Sequence, residues 1–406
     1  MKEPQPSKES PQPRFCDLAH AEPFRIFFPL GMTLGIVGVA LWPLFELGIV
    51  TSYPLDTHIR LMCYGFLGCF VIGFLLTAGP RLLSCPGPTR LLIHLQLGLS
   101  LAASLLSFLN PSLADSAFLL QLATLFAAAS YGFAKRNDLP PPGFLLGLAG
   151  LISAAVGSAF LLQLSLGNGG ATSYALSRIL LFQAFPALPL VGIGAFFFPK
   201  LTGAENNPQD FPESVRPSLP WLKRAAWALA TIVLFLISIP LELRGQSGIA
   251  YSLRAVACGL YIVFETPVFK PSKAPSSQRL HLVLCSLSLI ASFLLVAFYP
   301  HLRTAALHIF FIVGLTGSIL LVSTRVVFGH SGSVQLARSS VKPLLLGIAL
   351  LIVGSISRLL MDTTPGSRII DLYTTAALWL TVALAWLALV APKTRTPDPD
   401  DTPCSH

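Results

Sequence analysis

Charge is what this sequence has least of. Asp, Glu, Lys and Arg together make up 11% of its 406 residues, whereas apolar types make up 53%. That leaves too little polar surface to wet a water-soluble chain of this length. Acidic residues are scarcer still within the apolar stretches, where Asp115, Glu242 and Glu265 fall toward the ends. Transporters driven by protons or sodium usually bury carboxylates in their spans, so this scarcity weighs against that class. The seven cysteines include no Cys-x-x-Cys pair, and four of them lie inside apolar stretches as small hydrophobes, which excludes a disulfide framework. No Gly-rich phosphate loop, zinc-spaced Cys/His cluster or nucleophile elbow is present, and no catalytic residue can be named. The formal charge of +9 is scattered through short connections instead of forming one patch, which argues against nucleic acid as a partner.

What is present is a series of uninterrupted apolar blocks. Each is about 20 residues long, enough to cross roughly 30 Å of hydrocarbon as a helix. They lack the two-residue alternation of an outer-membrane barrel, and lipid cannot satisfy open backbone groups, so an all-α transmembrane bundle is expected. Charge, Pro and Gly punctuation divides the chain into about twelve spans: 25–48, 59–83, 91–109, 113–134, 143–166, 176–200, 221–240, 248–268, 280–299, 304–328, 342–361 and 369–391. Residues 1–24 read as a polar tail without a secretory signature, residues 25–391 as the membrane domain, and residues 392–406 as a disordered tail. The connection 200–220 carries four prolines and suggests a joint between halves 25–200 and 221–391. Lys and Arg are about twice as frequent in the even connections as in the odd ones. This bias predicts that both termini lie in the cytoplasm.

That topology sorts the histidines. His58, His301 and His308 fall near the outer face, and His94, His281 and His330 near the cytoplasmic one. Both His58, at the start of span 2, and His308, one turn into span 10, stand on helices that run inward from the outer face. Two neutral imidazoles on facing helices can hold one iron as the axial ligands of a haem. Each can equally be an interfacial histidine hydrogen-bonded to a nearby carbonyl. Arg60 and Arg303, close in sequence to these histidines, can clamp haem propionates or snorkel to lipid headgroups. Arg358 and Asp362, spaced i and i+4, need no function beyond a helix-end ion pair. Arg325 and Gly329 suit the end of span 10 by capping and charge bias alone, and His330 follows them. In span 6, Pro186, Pro189, Gly192 and Gly194 fit either the wall of a cofactor pocket or a transporter-like hinge.

Several stretches carry a resemblance to the NnrS family of bacterial membrane proteins. They are Pro23 to Phe28, Gly65-Phe66 through Gly73 to Pro80, Gly192 to Pro199, and His308 through Arg325 to Gly329-His330-Ser331-Gly332. The resemblance implies about twelve helices in the bacterial inner membrane, haem b, an association with copper, and a role in the response to nitric oxide and nitrosative stress. Nitric oxide or another diatomic ligand would be the small-molecule partner. The family tends to show a His-x-His-Glu run before the Gly-Phe of span 2. Here only His58 remains, with Arg60 and Leu61 in the other two places, which puts copper in doubt but not haem. Helix placement is also similar to that of haem-copper oxidases, whose low-spin haem takes its axial histidines from helices 2 and 10. The copper-binding histidines those oxidases carry on helices 6 and 7 have no counterpart here, so oxygen reduction is not expected. A cofactor-free permease and a scaffold subunit of a membrane complex remain the alternative readings.

Overall fold

The computed structural model describes residues 14–202, 207–269, 276–333, 335–336 and 342–398. Among the described residues twelve helices are long and apolar enough to cross a membrane: Phe24–Glu46, Leu55–Leu82, Arg90–Leu109, Pro111–Ala134, Phe144–Ser165, Ala171–Thr202, Leu219–Leu243, Ser247–Glu265, Ser277–Phe298, Pro300–Gly329, Pro343–Thr363 and Arg368–Arg395. They are numbered here as spans 1 to 12. No strand occurs among the described residues. Spans 2, 6 and 10 begin four or five residues before the apolar blocks predict. Hydropathy stops at the first polar residue, but a helix requires only that its backbone bonds continue.

Consecutive spans pack side by side, and span 12 packs back onto span 1. Spans 2, 6 and 10 occupy the middle of the bundle. Their most apolar windows are 61%, 83% and 72% buried, against 22–50% for the other nine spans. The three central helices therefore recur at every fourth span. Each also contains a π-helical turn, at Leu61–Leu67, Leu180–Ala184 and Phe310–Thr316. A π turn takes one extra residue per turn, which rotates the side chains beyond it and often marks a functional site.

Small residues set the close approaches. A Cβ on Gly192 would stand 2.2 Å from the Gly143 carbonyl oxygen, and one on Gly150 2.3 Å from Pro189, so spans 5 and 6 touch backbone to backbone. In span 1 a Cβ on Gly35 would meet Phe66 at 2.8 Å and Trp379 at 2.9 Å, and one on Gly38 would meet Leu61 at 3.1 Å. These glycines bring span 1 against the first half of span 2.

The tails are more ordered than their composition suggests. Phe15–Ala21 forms a short helix ahead of span 1. At the other end Ala391–Arg395 forms a 3-10 turn with Thr394 buried. Arg25, buried at the entry to span 1, donates from Nη1 to the carbonyls of Thr394 and Thr396 at 2.8 Å each and from Nη2 to that of His330 at 2.5 Å. A buried guanidinium must find acceptors for its donors, and the chain after Pro392 supplies two of them. The order therefore extends to Thr396, where the sequence reads as a disordered tail from residue 392. Residues 399–406 lie outside the described residues.

Candidate functional site

The end of the bundle at which the even-numbered spans begin holds His58 and His308. The His58 Nδ1 lies 2.9 Å from the carbonyl oxygen of Gly38 in span 1, and the His308 Nδ1 lies 2.7 Å from that of Thr304 in its own helix. A carbonyl oxygen only accepts, so in both rings Nδ1 carries the proton and the lone pair is left on Nε2. Among the described residues no hydrogen bond reaches either Nε2. The two rings are close enough to interact electrostatically, and the guanidinium of Arg358 in span 11 acts on both. Trp42 meets His58 edge to face at 5.8 Å, and Phe311 meets His308 in the same way at 5.6 Å. Spans 1, 2 and 10 thus converge on a pair of imidazoles, with the charge of Arg358 from span 11 in electrostatic range.

Arg60 and Arg303 stand elsewhere. Residues two apart on a helix point about 160° away from each other, and residues five apart about 140°. Arg60 therefore leaves the face of His58, and Arg303 that of His308. Arg60 is only 2% exposed and grips Asp115 of span 4 with two parallel bonds, Nε to Oδ1 at 2.8 Å and Nη2 to Oδ2 at 2.9 Å. Tyr64 and Ser165 donate to the same carboxylate at 2.8 Å each. Arg303 pairs with Glu242 at the end of span 7 at 2.8 Å. Arg358, read from sequence as a local partner of Asp362, does lie 3.0 Å from that carboxylate, but it is also the cation beside the two imidazoles. Its i, i+4 spacing concealed that second role.

The remaining candidates sit apart from this pair. His301 is exposed and meets only the edge of Tyr299 at 6.2 Å. At the opposite end Arg325 donates to Gln278 at 2.9 Å and to the carbonyl of Leu201 at 3.2 Å, tying span 10 to spans 9 and 6. His330 contacts Glu22, whose carboxylate also takes Arg25 and Arg81. Burial pushes the Glu22 carboxyl upward, but His330, Arg25 and Arg81 outweigh it and hold the group at about 2. This cluster ties the chain entry to the ends of spans 2 and 10. No group of three or more His, Cys, Asp or Glu side chains among the described residues is arranged to hold a metal ion.

Among the described residues, nine apolar helices packed around three central ones define a polytopic helical membrane protein. The family model described as NnrS protein matches residues 19–397, nearly the whole chain, and the chain belongs to the NnrS family. No curated protein matches it.

Proposed function

We propose that this chain is a haem-binding protein of the bacterial inner membrane that acts in the response to nitric oxide and nitrosative stress, holding haem b between His58 and His308. The observation that carries the reading is the pair of imidazoles from spans 2 and 10, each committed through Nδ1 to a backbone carbonyl so that Nε2 is the free donor. Axial haem ligands need that tautomer, and a carbonyl on the second nitrogen both orients the ring and raises its basicity. The donor set fits haem. Arg358 is the propionate partner in this reading, because it neighbours both rings whereas Arg60 and Arg303 are committed to Asp115 and Glu242. Haem would supply a one-electron redox centre there. His58 and His308 together would leave no free place for a diatomic ligand unless one of them gave way, which favours passing electrons over binding such a ligand. The link to nitric oxide rests on the family.

Two measurements test this. Protein expressed with ample haem and purified in detergent should show the absorption spectrum of a six-coordinate low-spin haem b, and a colourless preparation would overturn the proposal. In the same reading the imidazole end of the bundle faces outward. A reporter active only outside the cytoplasm should therefore work when fused after residue 112 and stay silent after residue 275, and the reverse pattern would invert the topology.

A further inference from the structure

We propose that a second polar cluster, built around Arg254, Glu242 and Arg303, is a binding site for a small monovalent anion such as chloride or nitrate. It lies at the same end of the bundle as the imidazoles but between spans 6, 7, 8 and 10. Arg254, in span 8, is fully buried. Its Nε donates to the Ser238 hydroxyl at 2.7 Å and its Nη1 to the Gln183 side-chain oxygen at 2.6 Å, and Nη1 also pairs with a Glu242 carboxylate oxygen at 2.6 Å. Glu242 takes Arg303 on its other oxygen, where Tyr251 also donates at 3.2 Å. Gln183 in turn donates to the Tyr251 hydroxyl at 2.9 Å.

Charge does not balance here. Two guanidiniums face one carboxylate, and the other members are neutral, so the cluster carries an excess of one positive charge. The charged groups acting on Tyr251 at its centre are these same three. The Arg60–Asp115 site, by contrast, pairs one cation with one anion. Donors do not balance either. The Nη2 of Arg254 and the Nε of Arg303 are buried without a hydrogen-bond partner, two unused donors against one unused acceptor, the Glu242 oxygen that faces Nη1 of Arg254. A buried guanidinium with an unused donor and an uncompensated charge is costly, and an anion accepting from both arginines removes both penalties at once. The Arg303 side chain is 29% exposed, which gives an ion from the aqueous phase its way in, whereas the depth of Arg254 restricts the ligand to a small one.

The test uses the full-length protein in detergent, in a halide-free gluconate buffer of constant ionic strength. Replacing gluconate stepwise by chloride or nitrate should raise the thermal unfolding midpoint along a saturating curve. R303Q cancels the excess charge while leaving Arg254 paired with Glu242, and should abolish that rise. E242Q increases the excess and should lower the half-saturating chloride concentration by about tenfold or more. Anionic lipid added in gluconate should not reproduce the effect. Equal midpoints in gluconate and chloride for the native protein would overturn the site without recourse to any variant. A full response in R303Q would overturn it too, as would a response to lipid phosphate without one to chloride or nitrate.

Discussion

Replacing Asp115 by alanine should destabilise the folded protein by about 3–5 kcal/mol, the usual cost of removing one partner from a buried ion pair. Four hydrogen bonds converge on this carboxylate, two from Arg60 and one each from Tyr64 and Ser165, and Arg60 is only 2% exposed. Without Asp115 the guanidinium keeps its charge but loses its carboxylate, leaving only the Asp56 carbonyl and the Ser165 hydroxyl as acceptors, inside a bundle where the alternative is lipid and not water. Asp115→Asn keeps the shape and part of the hydrogen bonding, so its cost should be smaller. Replacing Arg60 and Asp115 together by leucine should be milder than Asp115→Ala, since no orphaned charge remains. Unfolding midpoints in detergent measure all three. An Asp115→Ala protein as stable as the native one would show that water reaches Arg60 and that the pair does not hold spans 2 and 4 together.

The blocks of apolar residues made the spans legible because the membrane demands about 20 of them in a row, whatever the packing. Packing itself left weaker traces. Hydropathy could not show that spans 2, 6 and 10 are central, because a helix facing lipid and one facing other helices are equally apolar. Nor does composition show the π turns, which depend on a backbone choice at each of three places. The histidines were legible as candidates because helix direction and loop charge placed them at one end. Their arginine neighbours were not legible in the same way, because nearness in sequence is not nearness in space. A helix turns 100° per residue, and that alone separates Arg60 from His58 and Arg303 from His308. Asp115 and Glu242 read from sequence as helix-end carboxylates, yet each is the acceptor that draws away one of those arginines. Arg358 is the opposite case: its i, i+4 spacing to Asp362 already accounts for it, and nothing in the sequence marks the imidazoles across the bundle.

Replacing either His58 or His308 by alanine should remove the six-coordinate low-spin spectrum, whereas His94→Ala should leave it intact. His94 lies at the opposite end of the bundle, 3.4 Å from His20, and cannot reach the pair. Arg358 gives a finer test because it separates ligation from retention. Arg358→Gln leaves both imidazoles and their carbonyl partners in place, so the low-spin spectrum should persist. The variant loses a cation that acts on both rings, so haem should be shed more readily in detergent and the reduction potential should fall, because a nearby positive charge favours the ferrous state. Arg303→Gln removes a charge committed to Glu242 on another face and should leave both the spectrum and haem retention close to native. An absorption spectrum and a redox titration of each variant decide the matter. A low-spin spectrum that survives the loss of His308 would place the axial ligand elsewhere in the bundle. If Arg303→Gln shed haem while Arg358→Gln retained it, the propionates would lie against span 7 and not span 11, and the site would have to be redrawn around Glu242.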